Sequence, residues 1–133
     1  MTPNLELEHH PKVDASNIPS MRRTQWERYA RYHQARSNLL LHIVFVPLFV
    51  AGNVALAIAL AERHWLWALG GGVLTVASLM AQGRGHRREP LAPEPFTGPR
   101  NALTRIFLEQ WVTFPRFVLC GAWAQALRRS RSV

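Results

Sequence analysis

From Leu39 to Leu60 the chain runs 22 residues without a formal charge. As an α-helix that stretch is about 33 Å long, enough to cross a bilayer core of roughly 30 Å. Backbone in lipid must satisfy its own hydrogen bonds, so the run commits this part of the chain to a spanning helix. A second apolar run, Trp65 to Ala81, follows after the turn Glu62-Arg63-His64. It sits near the lower length limit for a span, with Trp65 and Trp67 as interface anchors and Gly70, Gly71 and Gly72 allowing close helix contact. A transmembrane helical hairpin is expected; a buried pair of soluble helices is the alternative.

Charge gives the hairpin a direction. The chain has 133 residues and a net charge of +8 that comes almost wholly from arginine, Lys12 being the only lysine. Arg22, Arg23, Arg28, Arg31 and Arg36 precede the first run, Arg84, Arg87 and Arg88 follow the second, and the turn holds only Arg63. The positive-inside rule then puts both outer flanks, and both termini, in the cytoplasm, with a bacterial inner membrane or the endoplasmic reticulum as the site. These arginines flank apolar runs and form no stripe interleaved with stacking aromatics. They suit anionic membrane lipids and give no case for nucleic acid. The first twenty residues lack an apolar core, so insertion is expected to rely on the internal runs. Cys120 is the only cysteine, which excludes an intrachain disulfide and a thiolate zinc site.

The whole reads as one all-α membrane domain. Residues 1–19 are polar and proline-punctuated, and read as disordered, His9-His10 included. Residues 20–37 predict an interfacial helix, with Ser20 as N-cap and Trp26 and Tyr29 at headgroup level. Residues 82–100 hold four prolines and three glycines and read as a loop. Leu103, Phe107, Trp111, Phe114 and Val118 give residues 101–127 a third helix. Glu109 and Arg116 on one side of it, with a bend at Pro115, favour an amphipathic surface-lying or re-entrant element. Residues 128–133 are a basic tail.

The chemistry-bearing residues lie at one end of the hairpin. His33 and His42 stand at the mouth of the first span and His86 follows the second, whereas His64 goes to the opposite face. Imidazole suits iron, zinc, copper and nickel, and oxygen-using ferrous sites commonly add a carboxylate. On one continuous helix, residues nine apart point about 180° away from each other, so His33 and His42 can share an ion only if the helix breaks between them. Ser37 or Asn38 is the expected place, as a cap. Asn38, four before His42, is also placed to orient its ring, and Glu89 follows His86 by three. Three interface histidines on a non-catalytic protein that binds anionic lipid or a partner, and a zinc-dependent lipid hydrolase, are the rival readings.

Tyr32-His33, Asn38, His42 and Pro47 in the segment YHQARSNLLLHIVFVP, together with Gln82 and Gly85-His86, resemble the integral-membrane 2-hydroxy fatty acid dioxygenase family. That family was long filed as a domain of unknown function and is typified by a fungal endoplasmic-reticulum enzyme. The resemblance covers roughly Tyr29 to Glu89. It implies an Fe(II)-dependent, O2-using cleavage that shortens a 2-hydroxy long-chain fatty acid by one carbon, with His33, His42 and His86 as the metal ligands. The family usually places a glutamate four residues after the last histidine; Glu89 stands at three, so position alone gives it no role. The resemblance makes no assignment for residues 92–133.

Overall fold

The structure is a computed structural model and describes residues 17–130. His9-His10 and the end of the basic tail therefore lie outside the described residues. Among those described, every regular element is helical: α1 (Ile18–Tyr29), a 3-10 turn (Ala30–Tyr32), α2 (Arg36–Ala61), α3 (Trp65–His86), α4 (Pro99–Leu108), a π-helical stretch (Glu109–Thr113), α5 (Phe114–Leu119) and α6 (Ala122–Arg129).

Helices α2 and α3 form the expected hairpin, and both are long and apolar enough to cross a membrane. Their apolar side chains face outward: Val44, Val54, Ile58, Leu66, Leu69, Val73 and Val76 are all exposed. In water a pair of this kind would present an apolar surface far larger than soluble proteins tolerate, so the exposure suits lipid and disfavours the buried soluble pair. Contact within the hairpin is close at Gly52 and Gly71. A Cβ on Gly71 would lie 2.7 Å from the Leu56 nitrogen and 2.9 Å from the Gly52 oxygen, while Gly70 and Gly72 face open space. Since the colliding atoms are backbone, Gly71→Ala is expected to destabilise the hairpin by about 1–3 kcal/mol, whereas Gly72→Ala should be close to neutral. Thermal unfolding of the two variants in detergent checks this.

The remaining helices wrap one end of the hairpin. Tyr29, Leu39, Val46, Phe114 and Phe117 form the core there, with Trp26, Ile43 and Trp123 packed against it. Tyr29 is thus buried against protein, so its ring does not face lipid headgroups as an exposed anchor would. Trp26, half-buried, lies beneath the Arg116 guanidinium at 3.9 Å. Trp123 Nε1 donates to the Leu39 carbonyl at 3.1 Å and ties α6 to the start of α2.

Four local expectations need correction. Helix α1 starts at Ile18 after Asn17, and the Ser20 hydroxyl only donates back to the Asn17 carbonyl. The break before the span falls at residues 33–35, ahead of Ser37 and Asn38. Helix α3 continues to His86 before the loop begins, because its glycines sit within an already propagating helix whose turns need no side chain. The third helix is not continuous: a π-helical stretch interrupts it at Glu109, and Gly121, at φ 81°, ends α5 in the left-handed region.

Candidate metal centre

His33, His42 and His86 converge, and a fourth residue joins them: Glu109. One donor atom from each of the four lies within 4.8 Å of all the others, so the cluster can hold a metal ion. Glu109 Oε1 is 3.5 Å from His33 Nε2, 3.5 Å from His42 Nε2 and 3.8 Å from His86 Nε2. The three rings meet edge to face, with centroids 4.8 to 5.0 Å apart.

Each ligand is aimed by a specific local arrangement. The non-helical residues His33 to Ala35 turn the chain between the 3-10 turn and α2, cancelling the opposed directions that a continuous helix would impose. The turn is capped from a distance, not by Ser37 or Asn38. Glu89 accepts the backbone N–H groups of Gln34 at 2.9 Å and Ala35 at 3.0 Å, and the Asn38 side-chain amide at 2.6 Å. Glu89 is therefore absent from the donor cluster and acts on the backbone that carries two of its members. Gly85 abuts the Asn38 side chain with no room for a Cβ, which brings the end of α3 against the start of α2. His86 closes that end from the last residue of α3, not from a loop.

Hydrogen bonds fix the imidazole tautomers. His33 Nδ1 is 2.9 Å from the Tyr29 carbonyl and His42 Nδ1 is 3.0 Å from the Asn38 carbonyl. A carbonyl only accepts, so both Nδ1 atoms carry the proton and both Nε2 atoms present a lone pair. Asn38 thus orients His42, as the four-residue spacing predicts, but through its main chain. Both of these Nε2 atoms are buried with no hydrogen-bond partner. Leaving such atoms unpaired costs about 1–3 kcal/mol each, a cost that a bound cation would relieve.

The carboxylate completes the electrostatics. Burial opposes ionisation of Glu109, and only protonated His33 and His42 would outweigh it through their hydrogen bonds and charges and hold the carboxyl well below its usual range; with neutral rings that task falls to a bound cation. Tyr29 donates its hydroxyl to Glu109 Oε1 at 3.0 Å and stacks on His33 with centroids 3.9 Å apart. Burial first, then the charge of Glu109, pushes the Tyr29 phenol well above its ordinary value and keeps it a neutral donor. Lone pairs and an anion facing one point repel each other unless a cation stands between them. The donor set therefore fits a divalent metal of the kind imidazole and carboxylate share.

Glu109 is the residue that spacing did not single out. Its signal was an acidic residue within a stretch patterned by apolar and aromatic residues, but pairing it with Arg116 pointed it to the surface. Arg116 instead lies over Trp26. The π-helical stretch that begins at Glu109 adds a residue to one turn, which lets Glu109 face the histidines while Phe114 and Phe117 still face the core.

The remaining shell yields a measurable expectation. Because Glu89 fixes the turn without touching the cluster, Glu89→Ala should weaken metal affinity by about 10–100-fold and leave the stoichiometry unchanged at saturating metal. A titration with a competing chelator reads it.

A cavity of about 710 Å³ opens beside the cluster, with His33, His86 and Glu109 in its wall. Leu79, Met80, Phe96 and Ile106 give it apolar surface, and Arg84 and Arg87 add positive charge. The segment bearing Phe96 is strapped in place: Arg28 pairs with Glu94, and Arg105 donates to the Glu94 and Pro95 carbonyls at 3.1 and 3.3 Å. Fold and site together define an all-α protein with two helices apt for a bilayer and a buried three-histidine, one-glutamate cluster. No protein-family model, curated protein or solved structure matches the chain.

Proposed function

We propose that the protein is a membrane-bound Fe(II)-dependent dioxygenase that shortens 2-hydroxy long-chain fatty acids by one carbon, with both outer flanks of the hairpin on the cytoplasmic side. The observation that carries this reading is the convergence of His33, His42, His86 and Glu109 on one point in the wall of a cavity that is apolar in part and arginine-lined in part. Ferrous iron held by those four residues would supply the oxygen activation that cleavage of the C1–C2 bond requires. The stoichiometry asks for nothing more: a 2-hydroxy acid and O2 together contain the atoms of the shortened acid, carbon dioxide and water.

The chain's own residues perform the rest. Arg84 and Arg87, three apart at the end of α3, offer guanidinium groups to a substrate carboxylate. Leu79, Met80 and Phe96 offer an apolar path for the acyl chain. Tyr29 keeps Glu109 oriented through its hydroxyl, and the Tyr29 and Asn38 carbonyls keep two imidazoles in the ligating tautomer. The motif resemblance favours iron over zinc, which the same donors would also accept. Purified protein loaded with iron, incubated with a 2-hydroxy long-chain acid with and without O2, tests the reading by chromatography of the products. An acid shorter by one carbon, formed only with oxygen, is expected. Equal turnover without oxygen would overturn the reading, and oxygen-independent release of fatty acid from an ester lipid by zinc-loaded protein would favour a zinc-dependent lipid hydrolase.

A further inference from the structure

A second cavity, of about 830 Å³, also has His33 in its wall and is otherwise bounded by the start of α2, the segment after α3, and α6. Four arginines line it: Arg31, Arg36, Arg88 and Arg129. No acidic residue does. None of the four guanidinium groups pairs with a carboxylate among the described residues, whereas Arg23 pairs with Glu27 and Arg28 with Glu94. Glu89, the acidic residue next to Arg88, is already engaged by Gln34, Ala35 and Asn38 and lines the other cavity. Four cations gathered from separate elements around one concavity repel each other unless an anion sits among them, and the fork geometry of guanidinium matches phosphate oxygens.

Two further features say where that anion comes from. The inner wall is apolar, with Phe117, Ala122 and Ala126 beneath the charged rim. Below Arg36 on the same face of α2 stand Leu40 and Val44, four and eight residues on, exposed to 42% and 52%. A phosphate held at the rim would thus have an apolar track running from it along the spanning helix, the layout of a lipid headgroup with its acyl chain. We propose that this cavity, distinct from the candidate substrate cavity, binds the phosphate group of an anionic membrane lipid. The site does not depend on the oxygenase reading.

The test uses the full chain in detergent, titrated with phosphatidylglycerol or phosphatidylcholine and read by native mass spectrometry. Arg36→Gln with Arg129→Gln forms one pocket pair and Arg31→Gln with Arg88→Gln a second, on different elements. Arg22→Gln with Arg23→Gln removes the same charge elsewhere. At about fivefold per arginine, each pocket pair should weaken phosphatidylglycerol binding roughly 30-fold, and the control pair by less than about twofold. Circular dichroism confirms that helix content is retained, and one folded pocket pair suffices. The proposal is overturned if the control pair loses as much, if phosphatidylcholine binds equally well, or if inorganic phosphate binds as tightly as the lipid. That last outcome would make it a site for a soluble anion.

Discussion

Replacing His42 with alanine is expected to abolish metal binding by the purified protein. His42 is fully buried, its Nδ1 proton is committed to the Asn38 carbonyl, and its Nε2 has no partner but the centre of the cluster. Changing groups that merely orient ligands typically costs 10–100-fold in affinity, so losing a ligand should cost more than about 100-fold. Elemental analysis reads the loss directly. A melt gives a second readout: metal should raise the thermal midpoint of the wild-type protein, since it binds only the folded state, and should leave that of His42→Ala unmoved. Without metal the variant should unfold no earlier than about the cost of a small cavity implies, because it also relieves repulsion in the cluster. Glu109→Ala should behave in the same way. Full metal occupancy in both variants would refute the four-residue centre.

Deleting Val112 should abolish metal binding while keeping the protein helical. Val112 lies in the π-helical stretch and is 40% exposed, so its removal takes away no buried side chain. What changes is phase. One residue fewer returns the stretch to α-helical geometry and rotates everything on one side of it by about 100° relative to the other. Either Glu109 leaves the histidines or Phe114 and Phe117 leave the core, and packing favours keeping the two phenylalanines. The expected outcome is preserved far-UV circular dichroism with metal stoichiometry close to that of Glu109→Ala. Val112→Ala, which keeps the register, should bind metal like the wild-type chain. A deletion variant with full metal content would show that the extra residue has no part in placing the carboxylate.

The hairpin was legible in the sequence because a charge-free run in lipid has one backbone solution. His33, His42 and His86 were legible for a related reason: two spans joined by a short turn return the chain to the same end, which brings their flanks together. The break that lets His33 and His42 cooperate was legible as a necessity but not in its position. Its cap comes from Glu89, more than fifty residues away, and local spacing cannot reveal a partner supplied by tertiary contact. Glu109 was illegible for a sharper reason. Helical periodicity assumes 3.6 residues per turn, and the residue that matters most in the last third of the chain opens the stretch where that period fails. The same assumption aligned Glu109 with Arg116 and made a surface pair of two side chains that face different neighbours.

The four donors are spread from residue 33 to residue 109, so the centre has an order of birth. A nascent chain halted after α3 already owns all three imidazoles and lacks the negative charge that balances a dication. Only when the final helices have been synthesised and have folded back against the hairpin does the acid arrive, together with Phe114 and Phe117, which pack against His42 and His33. The complete donor set thus exists only in the finished fold, and no N-terminal fragment that ends before Glu109 contains it.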